Sequence, residues 1–220
     1  MQLFKFNKMI PLSLKLKKEL HKNIARAQDL IVETLYKVFN NAVLHGGTAL
    51  WRCYNGNRFS EDIDVYIPRN LEKINLFFNS LEKKGFVIKK KKISKNSIYS
   101  TLIFDRTYVR FEALFKKVNS VLKDYETSES NFITVYTLTP EQFLEKKVDT
   151  YLKRIKIRDL YDLFFLLRFI KINQETKRIL SRLIENFKKP VDENDLKAII
   201  ISGLIPAADS MLEYIKNFLR

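Results

Sequence analysis

Residues 45–65 read HGGTALWRCYNGNRFSEDIDV, and this stretch decides the fold. The apolar run 42–44 before it predicts a short strand that ends at the glycine pair Gly46-Gly47. Thr48 is a plausible N-cap for the helix that the following apolar spacing predicts. Residues 63–67 then alternate apolar and polar side chains and stop at a proline, which is the pattern of a strand. The order strand, glycine turn, helix and strand predicts an α/β fold.

The rest of the chain divides into a β-rich part and a helical part. Apolar spacing over 14–39 predicts one long amphipathic helix, and residues 70–84 predict another. Strand-like segments follow, expected as an antiparallel extension of the sheet and a final strand: 86–93, 98–104, 108–115 and 132–137. Helical patterns then run to the end: 141–155, 159–170, 175–187, 193–201 and 207–219. We therefore predict an α/β (α+β) mixed-sheet core domain with an N-terminal helix, 1–138, and an all-helical domain, 139–220.

Composition narrows the functional class. The 220 residues carry 40 lysines and arginines against 25 acids, a net charge of +15, which favours a polyanionic partner such as RNA, DNA or nucleotides. No apolar stretch approaches the roughly 18 residues of a membrane helix, so no membrane partner is expected. Cys53 is the single cysteine, and a lone thiol is typical of a reducing, cytoplasmic location. With two histidines and one cysteine, a structural zinc site is nearly excluded.

The glycine pair and the acids downstream of it form the candidate chemical site. Gly46-Gly47 would let backbone N–H groups approach a phosphate, although a plain tight turn also explains them. Asp62 and Asp64 lie two apart on a strand, so their carboxylates share a face and would repel each other without a cation between them. Mg²⁺, or Mn²⁺ in its place, prefers such oxygen ligands. Glu112 on a neighbouring strand could complete the metal site or accept a proton, unless it is a surface residue paired with Arg110.

Two motifs resemble one family. The runs His45-Gly46-Gly47-Thr48-Ala49-Leu50 and Arg58-Phe59-Ser60-Glu61-Asp62-Ile63-Asp64-Val65 are similar to the signature of the AbiEii/AbiGii nucleotidyltransferase toxins. A second match is Glu145-Lys146-Lys147-Val148 followed by Arg154 and by Arg158-Asp159-Leu160-Tyr161-Asp162-Leu163. The two motifs occur in the family's order over roughly residues 40 to 170.

The resemblance implies a nucleotidyltransferase-type sheet core whose cleft is closed by the helical domain. It implies metal-dependent transfer of a nucleoside monophosphate from an NTP to an acceptor, with RNA or tRNA as the acceptor and a cognate antitoxin as the partner. Asp62 and Asp64 would hold the metals, and Gly46-Gly47 would cradle the triphosphate, beside Thr48. Lys147, whose spacing to Arg158 fits better than that of Lys146, and Asp159 would line the cleft from the helical side as catalytic residues.

Several residues keep two interpretations. Arg58 could bind a phosphate or brace the aspartates, and Ser60 could cap or hydrogen-bond the metal loop, so both are candidate nucleotide-binding residues. Asp159 could simply cap its helix, Asp162 is expected to be structural, and so is His45. The run Lys89–Lys92 is either a track for acceptor RNA or a charged edge strand protected from aggregation.

Three functions follow from these patterns. The first is an Mg-dependent nucleotidyltransferase toxin acting on RNA or tRNA. The second is an enzyme of the same fold that modifies a small hydroxylated molecule, which would need an acidic acceptor pocket rather than a continuous basic groove. The third is a catalytically silent nucleotide- or RNA-binding module, which would be expected to lack one of the carboxylates.

Overall fold

The computed structural model describes residues 11–219, so the ends of both predicted domains, residues 1–10 and 220, lie outside it. Its helices are α1 (Leu12–Lys15), α2 (Glu19–Val38), α3 (Gly46–Cys53), α4 (Leu71–Lys83), α5 (Pro140–Arg154), α6 (Ile157–Leu166), α7 (Gln174–Glu185), α8 (Leu196–Ile199) and α9 (Ala208–Asn217). Its strands are β1 (Val43–His45), β2 (Ile63–Ile67), β3 (Val87–Ile93), β4 (Ser97–Phe104), β5 (Thr107–Phe115), β6 (Val121–Glu126) and β7 (Phe132–Thr137). No helix among these residues is long and apolar enough to span a membrane.

The seven strands form one mixed sheet in the order β3-β4-β5-β2-β1-β7-β6. The pairs β2–β5 and β1–β7 are parallel, and the other neighbours are antiparallel. This confirms the predicted mixed-sheet α/β fold class. The antiparallel run β3-β4-β5 joins the core through β5, which lies parallel to β2.

One face of the sheet carries the core. Helices α2 and α4 pack there, and the rings of Phe77 and Phe78 on α4 contact Phe111 of β5 with centroids 4.8 and 6.3 Å apart. Alternation along β5 sends Phe111 into this layer and Glu112 to the opposite face. The chemistry-bearing residues of the central strands therefore share the face that α2 and α4 leave uncovered.

Helix α5 begins with a capping box and a proline in its first turn. Thr139 caps it by accepting a hydrogen bond from the Gln142 N–H, the Thr139 N–H donates one to Gln142 Oε1, and Pro140 occupies the first turn. The last strand ends at Thr137, just before this cap. The division of the chain into two domains near residue 138 stays a prediction.

Two predicted helices differ from the structure. The helix expected over 14–39 is interrupted between α1 and α2, where Leu16 is extended and buried, because the core accepts a leucine from an extended backbone as readily as from a helix. The helix expected over 193–201 shortens to a 3₁₀ turn, Glu193–Asp195, and α8.

Residues after α8 pair with the loop that precedes β2. The Phe59 N–H donates to the Ile199 carbonyl and the Ile201 N–H to the Asn57 carbonyl, both at 2.8 Å, around an antiparallel bridge of Arg58 with Ile200. A segment close to the end of the described chain thus holds the loop that carries Arg58.

Candidate active site

A cavity of about 540 Å³ lies between the uncovered sheet face and the helices α5 and α6. Its sheet wall is acidic, with Asp62, Asp64 and Glu112. Its helical wall is predominantly basic, with one acid, Asp149, and five cations: Lys146, Lys147, Lys153, Arg154 and Arg158. A cleft with acids on one wall and cations on the other is suited to hold a metal-bound polyphosphate.

Three neighbouring strands place one side chain each in a row across the sheet wall. Asp64 of β2 lies directly opposite His45 of β1 and directly opposite Glu112 of β5. Burial, followed by repulsion from Asp62 and Glu112, raises the pKa of Asp64 to about 6, against the opposing effect of Lys147 and Arg110. This row therefore holds a partly buried carboxylate that a cation would stabilise.

Asp62 is paired with an arginine. Arg110 binds it through two hydrogen bonds, Nε to Oδ1 at 2.7 Å and Nη2 to Oδ2 at 2.6 Å. Within residues 11–219, no three His, Cys, Asp or Glu side chains stand close enough to form a ready-made metal cluster. The three predicted metal ligands face one cavity, and Asp62 is paired there with Arg110.

The glycine turn is shaped by the acids and by the loop that follows α3. Gly46 has a φ of +73°, and a Cβ built on it would collide with Asp64 Oδ2. A Cβ on Gly47 would lie 2.5 Å from Arg58 Nη2 and 2.6 Å from Ser60 Oγ. Both glycines are therefore needed for the close approach of this turn to the site.

We expect Gly46→Ala to abolish nucleotidyl transfer and to destabilise the protein by about 1–2 kcal/mol or more, since alanine is strained at this φ and its Cβ displaces Asp64. The matched control is Gly85→Ala, because Gly85 has a similar φ of +91° but its Cβ would meet nothing nearer than 3.9 Å. Urea unfolding and a transfer assay separate the two effects. Full activity in Gly46→Ala, or equal loss in Gly85→Ala, would contradict this account of the turn.

Thr48 does not act as predicted. The helix begins at Gly46 with His45 as N-cap, so Thr48 lies inside the helix and is fully buried. Its hydroxyl donates a short hydrogen bond to the Asp62 carbonyl, and Gln28 of α2 donates to the Ser60 carbonyl at 2.8 Å. Thr48 therefore fixes the loop before β2 rather than contacting a nucleotide, while Ser60 lines the cavity.

Arg58 is committed to an acid from the helical part of the chain. Its Nε and Nη2 donate to the two carboxylate oxygens of Asp162 at 2.8 and 2.9 Å, and Nη1 donates to the Phe59 carbonyl at 3.0 Å. Arg58 also lines the cavity, so its assignment as a nucleotide-binding residue stays a prediction, whereas these contacts include neither Asp62 nor Asp64. Through Asp162, Arg58 ties the loop before β2 to α6.

Lys147 lies between two buried acids at the cavity wall. Its Nζ is 2.5 Å from Asp162 Oδ2 and 3.4 Å from Asp159 Oδ1. Asp159 also accepts two hydrogen bonds at 2.9 Å from Arg154, and its side chain has no exposed surface. The prediction that Asp159 lines the cleft is therefore wrong, because Lys147 and Arg154 stand between it and the cavity. Asp159 pairs with both of these cations behind the cavity wall.

Sequence reasoning missed most of the basic wall. Lys146 and Lys153 lie seven residues apart, and so do Lys147 and Arg154, which places the four on one side of α5. That periodicity was visible in the sequence, whereas the role of Arg110 as the partner of Asp62 was not. His45 was expected to be structural, and it stacks on Tyr66 with ring centroids 4.0 Å apart. Burial and the charges of Lys146 and Lys147 lower its pKa to about 3, so its imidazole is neutral near pH 7.

Comparisons with known proteins agree with this geometry. The family model described as "Nucleotidyl transferase AbiEii toxin, Type IV TA system" matches residues 30–201. The solved structure of JHP933 from Helicobacter pylori has the same fold, with a TM-score of 0.64, 19% identity, and coverage of 92% of this chain and 93% of that one. A candidate nucleotidyltransferase from H. pylori matches with a TM-score of 0.63, 22% identity, and coverage of 92% and 96%. No curated protein gives a significant match. On the extent of the family match, the chain belongs to the AbiEii family of nucleotidyl transferase toxins from type IV toxin–antitoxin systems.

Proposed function

We propose that this nucleotidyltransferase toxin uses Mg²⁺, or Mn²⁺, to transfer a nucleoside monophosphate from an NTP to RNA, with tRNA as the leading acceptor. The observation that carries the proposal is the pairing of Asp64 with Glu112 on adjacent strands, beside the glycine turn and across the cavity from the basic face of α5. A cognate antitoxin is the expected protein partner, in keeping with the family. The proposal includes a cytoplasmic site of action, where NTPs and tRNA are found.

The carboxylates fit a divalent metal by their chemistry. Asp64 and Glu112 offer oxygen ligands from adjacent strands. Asp62, which is paired with Arg110, is the proposed third ligand. The raised pKa of Asp64 supports this assignment, because a partly buried carboxylate repelled by two others gains from a bound cation. When bound, the metal would neutralise charge on the triphosphate and on the leaving pyrophosphate.

The remaining groups position the triphosphate. The Gly46 and Gly47 N–H groups, at the start of α3, are the proposed donors to phosphate oxygens. Lys147 would add a positive charge that Asp159 and Asp162 hold in place.

The reaction itself is a single displacement. The acceptor hydroxyl oxygen attacks the α-phosphorus, the bond from that phosphorus to the bridging oxygen of the β-phosphate breaks, and pyrophosphate leaves. Glu112 is the proposed acceptor of the hydroxyl proton, since it is a carboxylate of the sheet wall next to Asp64.

The charge of the cleft favours RNA over a small hydroxylated acceptor. Such an acceptor would be expected to need an acidic pocket. The helical wall instead carries five cationic side chains against one acid, Asp149, and the whole chain has a net charge of +15. Such a surface attracts a phosphate backbone through counterion release.

The experiment that tests the function offers each α-labelled NTP with Mg²⁺ to total RNA, to protein and to small molecules, and compares wild type with Asp64→Asn. We expect label to enter RNA only with intact Asp64 and only in the presence of the divalent ion. Label confined to small molecules would contradict the acceptor assignment. Binding of NTP without transfer to any acceptor would leave a silent binding module.

We expect Lys147→Met to lower kcat/KM for NTP about 100-fold, because Lys147 supplies charge to the phosphates from a fixed position. Lys146→Met is the matched control, since its Nζ lies over the Tyr66 ring at 5.2 Å and no carboxylate of residues 11–219 forms an ion pair with it. Its loss should be several-fold smaller. Equal effects of the two variants would mean that only the total charge of the basic wall matters.

A further inference from the structure

The row of side chains at the site continues beyond the cavity. Glu112 of β5 lies opposite Tyr99 of β4, and Tyr99 lies opposite Lys92 of the edge strand β3. Tyr108 shares the same face as Glu112, because it lies four residues before it on β5, and its side chain is 53% exposed. The acids of the site and these two tyrosines thus lie on one continuous sheet face.

A β-bulge brings extra lysines to this face. Ile88 pairs with the buried Leu102, but the next pair is Lys90 with Thr101, so Lys89 is an inserted residue. Lys89 Nζ lies 4.8 Å from the Tyr108 ring and Lys90 Nζ lies 5.2 Å from the Tyr99 ring, which places both lysines on the tyrosine face.

The fourth lysine of the run points the other way. Lys91 pairs with the buried Ser100, and its Nζ lies 4.9 Å from the ring of Phe78 on α4. Because α4 covers the opposite face of the sheet, Lys91 belongs to that face. The run Lys89–Lys92 is therefore divided between two faces, with three lysines on the side of the acids.

The spacing suits a short strand of nucleic acid. Neighbouring strands lie roughly 4.8 Å apart, so Lys92 is roughly 14 Å from Asp64 along the row. Aromatic rings flanked by cations are the recurring means by which proteins hold unpaired bases and the phosphates between them. Paired bases in a duplex are stacked on each other and cannot lie on these rings.

We propose that Lys89, Lys90, Lys92, Tyr99 and Tyr108 form an acceptor platform that binds a single-stranded segment of the RNA acceptor. The tyrosines stack on bases, the three lysines contact phosphates, and the row leads the terminal hydroxyl toward Asp64 and Glu112. This inference rests on the proposed function for its acceptor, and it names the surface that selects that acceptor.

Because β3 is an edge strand, its lysines could instead serve to prevent aggregation with other sheets. That role requires charge on the strand but does not distinguish the two faces. Lys90 and Lys91 are adjacent, exposed and equally charged, and they differ in the face that they occupy. They therefore form a matched pair for an experiment.

The test measures fluorescence anisotropy with a labelled single-stranded RNA of about ten nucleotides and with the blunt duplex of the same sequence. We expect Lys90→Glu to raise Kd about tenfold. It should also flatten the salt dependence, because each phosphate contact contributes about −0.7 to the slope of log K against log salt concentration. Lys91→Glu should leave Kd within about twofold, since it removes no contact. Tyr108→Ala should raise Kd about tenfold, whereas Tyr108→Phe keeps the ring and the affinity. Thermal unfolding of each variant checks that it is folded.

Each result decides the proposal. Equal losses from Lys90→Glu and Lys91→Glu, duplex binding as tight as single-strand binding, or no binding at all would overturn the acceptor platform. A labelled-NTP assay on the same preparations separates this outcome from the proposed function. Transfer to some acceptor without single-strand binding would rule out the acceptor platform alone. The expected binding pattern without any transfer would support the platform and contradict the proposed function.

Discussion

Replacing Asp162 with asparagine should lower the free energy of unfolding by about 3–5 kcal/mol. The carboxylate is almost fully buried and neutralises Arg58, itself buried, through two hydrogen bonds of 2.8 and 2.9 Å. An asparagine leaves that guanidinium in a low-dielectric interior without the counter-charge to which it is hydrogen-bonded. Urea unfolding near pH 7 measures the change.

Asp149→Asn is the matched control for this prediction. Asp149 pairs with Arg182 at 2.7 Å, but both side chains are about half exposed, so its loss should cost less than about 1 kcal/mol. The double variant Arg58→Met with Asp162→Leu should recover much of the stability, because it removes both charges together. A cost for Asp162→Asn no larger than that of Asp149→Asn would contradict the importance of the buried pair.

The same pair predicts a dependence on acid. Burial alone would raise the pKa of Asp162, but Arg58 and Lys147 outweigh it and hold the value at about 2. Because this folded-state pKa lies below the ordinary 3.8, the stabilisation is complete above pH 4 and is lost as pH falls toward 2. The stability difference between wild type and Asp162→Asn should shrink over that interval.

Asp64→Asn should abolish catalysis and strengthen the fold at the same time. We expect transfer to fall at least about 100-fold, because the carboxylate proposed to hold the metal is gone. We expect the metal-free protein to gain about 2–3 kcal/mol near pH 7, since its pKa of about 6 reflects a charge that is partly buried and repelled by Asp62 and Glu112.

The stability gained by Asp64→Asn should depend on pH. For an acid whose folded pKa is raised, the stability it contributes is present below its ordinary 3.8 and is lost as pH rises through about 6. The gain from Asp64→Asn should therefore be largest above pH 6 and vanish near pH 4. Glu82→Gln, at an exposed carboxylate of α4, should change neither activity nor stability. A destabilised Asp64→Asn would show that the carboxylate is a structural element rather than a strained site for a cation.

Local patterns were sufficient for most of the fold. Strands β4 and β5 lie within one residue of their predicted bounds, because each alternates buried and exposed side chains along its length. Strand β6, Val121–Glu126, was missed, since its sequence VLKDYE shows no clean alternation and its first four residues are not buried. The parallel pairing of β2 with β5 joins distant parts of the chain, which no local pattern encodes.

The site residues that could be predicted belong to motifs whose members lie close together in the sequence. Gly46, Gly47, Asp62, Asp64 and Lys147 all line the same cavity. Thr48 and Asp159 carry the right chemistry but lie behind that wall, because the side of a helix that faces a cavity is set by packing. The same limit applies to the Arg58–Asp162 pair, whose members are 104 residues apart in the chain.

The pairing of residues 57–59 with 199–201 has a consequence for the synthesis of this toxin. A ribosome makes the loop with Arg58 early, but the backbone that hydrogen-bonds to it emerges only after residue 201 has left the exit tunnel. Helix α6 emerges earlier and can supply Asp162, but until then the nascent chain lacks the segment around Ile200 that pairs with this loop. The loop that carries Arg58 therefore reaches its final hydrogen bonding only late in the synthesis of the chain.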